Sequence, residues 1–142
     1  MENQPTVLFL CTGNSARSQM AEGYLRHVAG KRFEVHSAGT APKPVHPLAV
    51  QVMAEIGIDI SAQQSKDFEP FLGKKNIQIA IFVCDKAQQN CPFIYPFAWK
   101  VYSWPFEDPA APQANQEAAL HKFRQVRDQI AAKIDEWLLE RN

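Results

Sequence analysis

No stretch of this chain is apolar for the roughly 18 consecutive residues that a membrane-spanning helix needs. Nor does the N-terminus read as a signal peptide: Met1-Glu2-Asn3-Gln4 brings an acid and no basic residue ahead of the first apolar run. A cytoplasmic protein, clear of membranes, is expected. Net charge is absent too. Fifteen basic residues balance 15 acidic ones, which removes the electrostatic footprint of nucleic-acid binding. Cysteine is scarce: three in 142 residues are too few for a disulfide framework. Together with His27, His36, His46 and His121 they show no zinc-ligand spacing. No metal and no cofactor is expected, and a monomer is. In a reducing compartment the thiols of Cys11, Cys84 and Cys91 point to chemistry or redox cycling.

What is present is enough apolar material, 46% of 142 residues, for one folded domain spanning residues 1–142. Thr6 to Cys11 reads as a buried strand closed by a glycine-containing loop. From Ser18 the spacing of Met20, Ala21, Tyr24, Leu25 and Val28 predicts a helix ending at Gly30. Phe33 to His36 alternates as a strand. Ala41 to Val45 is a proline-stiffened loop, and His46-Pro47 opens a second helix through Val50, Met53 and Ala54 to Gly57. A short helix or turn is expected from Asp67 to Leu72. Ile77 to Cys84 is β-branched and apolar, a central strand. Lys100 to Trp104 is a shorter strand near an edge. A long helix from Gln116 to Leu139 aligns Leu120, Phe123, Val126, Ile130, Ile134, Trp137 and Leu138 on one face. Strands alternating with helices predict an α/β fold, a parallel sheet with helices on both faces.

In such sheets ligands sit at the carboxyl ends of strands. The first strand ends at Cys11. The loop Thr12, Gly13, Asn14, Ser15, Ala16, Arg17 then leads to a helix start at Ser18. Curled backbone N–H groups next to a helix N-terminus make a nest for a tetrahedral oxyanion. Gly13 and Asn14 tolerate the left-handed backbone that a curl needs. Arg17 adds a planar fork for two oxygens. The same donors are expected to favour the thiolate of Cys11. Ser18 can donate a further hydrogen bond to it. A bare C-x5-R is weak; the strand ahead and the helix behind give it weight.

The run CTGNSARSQMAEG resembles the active-site loop of the low-molecular-weight protein tyrosine phosphatase superfamily. Within it the loop is most similar to that of the arsenate reductases, which typically read CTGNSCRSQMAEG. The segments HSAGT, MAEIGIDIS, FEDPA and FRQVRDQI extend the resemblance over nearly the whole chain. The resemblance implies a flavodoxin-like domain with a four-stranded parallel sheet and an oxyanion-binding loop, Thr12 to Ser18, after the first strand. It implies Asp108 as general acid, stiffened by Pro109, with Glu107 as the fallback. It also implies a role for the pair Cys84 and Cys91, with six residues between them in VCDKAQQNCP. Arsenate reductases coupled to thioredoxin carry a cysteine pair at this place. There Cys11 would form a thiol–arsenic adduct, Cys84 would displace arsenite by forming a disulfide with Cys11, and Cys91 would draw the disulfide outward for thioredoxin.

Two departures stand out. Ala16 takes the place of the usual second loop cysteine, leaving Cys84 as the resolving thiol. Ala110-Ala111-Pro112 follow Asp108 where many phosphatases carry an aromatic pair. Asn14, Glu22 and Ser37 match a cation site of some reductases, but Lys66 falls near the acid's place and Asp67 is one residue off, so no bound potassium is expected. Three readings stay open: a thioredoxin-coupled arsenate reductase, a phosphatase acting on aryl or small phosphate esters through a Cys11 phosphocysteine, and a non-catalytic oxyanion-binding or redox-sensing protein. The aromatic stretch Phe93 to Phe106 reads as partial core plus loop packing, ahead of a hydrophobic wall beside the site or a docking surface, and it names no partner.

Overall fold

Six consecutive residues, Thr6–Cys11, are buried, and they form strand β1. A strand covered on both faces reads as a continuous apolar run, which is what Val7-Leu8-Phe9-Leu10 supplies. The computed structural model describes residues 4–71, 77–83, 98 and 100–141. After β1 come helix α1 (Arg17–Ala29), β2 (Glu34–Gly39), α2 (Pro47–Glu55), a 3-10 turn (Glu69–Phe71), β3 (Ile79–Phe82), β4 (Lys100–Ser103) and helix α3 (Gln116–Arg141). The sheet is four-stranded in the order β2-β1-β3-β4, with every pair parallel. This is the expected flavodoxin-like α/β arrangement. The chain order reverses between β1 and β3, so the crevice for a ligand opens at their carboxyl ends, beyond Leu10 and Phe82.

Side chains alternate across the sheet, and the register sorts them. Phe9 pairs with Ser37 on one side and Ile81 on the other, and Ile81 with Tyr102. On that face Trp137 of α3 lies 6.1 Å from Tyr102, 5.9 Å from Trp104 and 5.4 Å from Phe33, ring centre to ring centre. The opposite face carries Leu8, Leu10, Ala80 and Phe82, all buried. The 3-10 turn brings Phe71 to that side, 5.5 Å from the His36 ring. Helices α1, α2 and α3 pack against one another. Among the described residues no helix is long and apolar enough to cross a membrane.

Where expectation and structure differ, the reasons are local. β2 runs on past His36 to Gly39, because Ser37, Ala38 and Gly39 keep pairing with Phe9, Leu10 and Cys11. Val28 was expected on the apolar face of α1 but is exposed: the last turn leaves the core with Arg26 and His27, while the first two turns are buried nearly all round. Ala54 leaves the core in the same way at the end of α2. β4 is the edge strand that its short run predicted.

Candidate active site

The loop after β1 is held by its carbonyls. Ala41 N–H donates to Thr12 O at 2.8 Å, Lys43 N–H to Gly13 O at 2.8 Å, and His46 N–H to Ser15 O at 3.0 Å. The Gln19 amide donates to Asn14 O at 3.0 Å. Four successive carbonyls are thus tied to their surroundings, the arrangement of a nest, in which successive N–H groups face an anion. Arg17 is already the first residue of α1, one position earlier than expected, and Ala16 is its N-cap without a side-chain cap bond. The free N–H groups of that first turn stay available to an anion.

Of the two residues expected to take left-handed backbone, only Asn14 does, with φ 47°. Gly13 does not, and a methyl group there would meet only ordinary contacts at 3.7 Å. The glycine that the loop does require is Gly39 on β2, where a Cβ would come within 2.6 Å of Thr12 O and 2.8 Å of Cys11 O. The matched segment HSAGT therefore serves the loop from behind.

That rear side is a buried polar network. Asn14 Nδ2 donates to Ser18 Oγ and to Ser37 Oγ, both at 2.8 Å. Its Oδ1 accepts from Lys66 N–H at 2.7 Å and from Gln19 Nε2 at 3.0 Å. Both donors and both lone pairs of the amide are used. Ser18 Oγ accepts from Asn14, so its own hydroxyl proton remains to donate. Ser37 Oγ donates to Glu22 Oε1, and Arg26 Nη2 meets Glu22 Oε2 at 2.5 Å. Lys66 Nζ lies 3.8 Å from Glu22 Oε1. Burial pulls the Lys66 ammonium below the ordinary lysine range, with Glu22 opposing and Arg26 adding to the shift. Glu22 thus already has two protein cations, Arg26 and Lys66, to balance its carboxylate; these residues do not fit a bound potassium ion.

The mouth is different. Cys11, Thr12, Gly13, Ser15, Ala16 and Arg17 line a cavity of about 310 Å³ together with Lys43, His46, Asp108 and Ala110. Cys11 is buried, at 3% exposure. Arg17 Nη1 donates to Phe106 O at 3.0 Å, and Nη2 lies 4.0 Å from Asp108 Oδ1. Asp108 is half exposed and accepts from Ala110 N–H at 3.0 Å. Glu107, the fallback acid, instead meets Lys122 Nζ at 3.1 Å and does not line the cavity. Lys43 and His46 were not among the expected site residues. Their neighbours gave no signal beyond a stiff loop and a helix start. Cys84, Cys91 and, of the aromatic stretch, residues 93–97 and 99 lie outside the described residues. Val83, which precedes Cys84 in the chain, donates its N–H to Leu10 O at 2.9 Å, and Leu10 precedes Cys11. Among the described residues no group of three His, Cys, Asp or Glu side chains is placed to hold a metal ion.

Known proteins resemble this chain in sequence and fold. The arsenate reductase of Bacillus subtilis is 39% identical over 137 residues, 96% of either chain. A solved structure of an arsenate reductase in the reduced state superposes with a TM-score of 0.76 at 32% identity, covering 97% of this chain and 99% of that one. A thioredoxin-dependent arsenate reductase of Corynebacterium glutamicum superposes at 0.68 with 25% identity, over 98% of this chain and 64% of its own. Residues 6–141 match the model of a single family, and the strand, loop and helix built around Cys11 lie within that match. The chain belongs to the low molecular weight phosphotyrosine protein phosphatase family.

Proposed function

We propose that this chain reduces arsenate to arsenite, with Cys11 as nucleophile and Cys84 and Cys91 as a disulfide relay, all within one domain spanning residues 1–142. The observation that carries the reading is the tethered loop: the carbonyls from Thr12 to Ser15 are bonded to their surroundings beside a small cavity lined by Cys11 and Arg17, which leaves the loop N–H groups to serve an anion there. An oxyanion seated there accepts from the N–H groups of Thr12 to Ser18 and from the Arg17 fork. The Cys11 thiolate forms a sulfur–arsenic bond while the departing oxygen takes a proton from Asp108 and leaves as water. Cys84 then attacks Cys11 Sγ. A disulfide forms, the sulfur–arsenic electron pair stays on arsenic, and arsenite leaves, reduced by two electrons. Cys91 attacks Cys84 and frees Cys11, and an external dithiol reduces the Cys84–Cys91 bond. Thioredoxin is the proposed reductant, supported by the Corynebacterium relative's dependence on it. The hydrogen bond from Val83 to Leu10 supports the first exchange, since it joins the residues that precede Cys84 and Cys11.

The second reading is an aryl phosphatase working through phosphocysteine at Cys11. The family's own description favours it, and it uses Cys11, Arg17 and Asp108 in the same roles. The cavity speaks for a small anion: beyond the loop its described lining is Lys43, His46, Asp108 and Ala110, with no phenyl or indole to grip an aryl group. A phosphate ester also needs no two-electron exit and leaves Cys84 and Cys91 idle. The deciding experiment is Cys84→Ser, assayed on arsenate with reduced thioredoxin and on an aryl phosphate. Arsenate turnover is expected to vanish while any phosphatase activity survives. Undiminished arsenate turnover would end the relay.

A further inference from the structure

His46 lines the cavity with Cys11, Arg17 and Asp108, and its ring is fixed on three sides. Its backbone N–H holds Ser15 O at 3.0 Å, so it moves with the loop. Its Nδ1 accepts from Leu48 N–H at 3.1 Å and caps α2. Its ring packs 4.6 Å from that of Phe123, which is 1% exposed. Because the Nδ1 lone pair is committed to the cap, the neutral ring carries its proton on Nε2. Protonating Nδ1 would set one donor against another. Burial likewise holds His46 below the ordinary histidine range, against the pull of Asp108. What the ring has left for the cavity is one oriented, uncharged N–H.

A tetrahedral anion seated on a loop that curls beneath it would turn three oxygens to the loop's donors and the fourth towards the mouth. We propose that His46 is an oxyanion-binding residue whose Nε2–H donates to that outward oxygen, so that the site selects a free inorganic oxyanion over an ester. In an ester the same oxygen carries carbon, which crowds the ring and weakens the acceptor. Lys43, whose backbone is tied to Gly13 O at 2.8 Å, adds a cation to the same wall. The proposal rests on a tetrahedral oxyanion sitting over Cys11, whichever chemistry follows.

The test is binding, read as protection of Cys11 from alkylation by inorganic phosphate and by phenyl phosphate, with the Cys11 peptide followed by mass. His46→Ser keeps a cap acceptor for Leu48 N–H but loses the ring and its Nε2–H. The dissociation constant of phosphate is expected to rise about tenfold, and that of phenyl phosphate about twofold, in a protein that remains folded at the assay temperature. If the serine variant is unstable, His46→Asn, also a good cap, replaces it with the same expectation. An unchanged phosphate constant, or equal weakening for both probes, overturns the proposal. Arg17→Ala separates the failures. If it too leaves phosphate protection intact, the oxyanion site itself is wrong; if it abolishes protection while His46→Ser does nothing, only the role of His46 is.

Discussion

The two sides of the Cys11 loop are built on opposite principles. Behind it, Asn14, Ser18, Gln19 and Ser37 are 0% exposed, and Glu22 is close to that. Their polar atoms are paired with one another, with Lys66 and with Arg26. In front, Lys43 is exposed, His46 half-buried and Asp108 half exposed: their main chain is tied to the loop or the turn, but their side chains open onto the cavity. A buried, fully satisfied network has one arrangement and is expensive to disturb, so it stores the shape of the loop. Groups at a wet mouth can change without unfolding anything, so they carry selection and proton transfer. The rear is the same whether the anion is arsenate or phosphate. The difference between those chemistries lies at the mouth and in the other two cysteines.

This contrast can be broken by mutation. Asp108→Asn has the largest expected effect on rate: kcat falls by about a hundredfold or more, the usual weight of a general acid. The midpoint of urea unfolding stays where it was, because Asp108 is half exposed and gives up one bond to Ala110 N–H and a long, solvent-screened approach to Arg17. A large loss of stability in that variant would show that the mouth is structural after all. Asn14→Ala comes next and is expected to damage both properties. Alanine is strained at φ 47°, and Ser18, Ser37 and the Lys66 N–H lose a buried partner, together about 2 to 4 kcal/mol. Urea unfolding measures that loss, and a steady-state assay the accompanying fall in turnover. Full stability with lost turnover would place Asn14 on the chemical side of the divide.

The smallest effect is a pH dependence. The native state holds His46 below the ordinary histidine pKa, so between the two values the unfolded chain binds more protons. Stability therefore rises with pH through that window and falls as pH drops below about 6.5. The His46→Asn variant should lack this share of the acid loss, in thermal unfolding from neutral to mildly acidic pH. Identical acid profiles would mean that His46 titrates as a surface histidine.

The rear and the front were not equally legible in the sequence. Thr12 to Ser18 are contiguous, so strand, loop and helix start stand side by side in the chain and declare their chemistry. The rear was half legible: Asn14, Glu22 and Ser37 came with the resemblance. Lys66 joins them through a backbone N–H and an ammonium approach that no pattern of residue types encodes. The front was least legible. Lys43 and His46 reach the cavity because Ala41, Lys43 and His46 are strapped to Thr12, Gly13 and Ser15 by main-chain bonds, which are blind to side-chain identity. The same blindness hid Gly39, whose value is the space it leaves against the loop's carbonyls. Val28 misled because periodicity marks the face of a helix but not where the helix leaves the core.

Cys11 itself gives the most direct test, since the loop, Arg17 and Ser18 have a common purpose only if its sulfur is an anion at neutral pH. Its ionisation can be followed by thiolate ultraviolet absorbance and by alkylation rate, in a chain with Cys84 and Cys91 replaced by serine. A thiol already ionised by about pH 7, well below the ordinary value near 8.5, is the expected result, with Arg17→Ala moving it back upward. A Cys11 that remains protonated at about pH 8, or that ignores the loss of Arg17, would contradict the account.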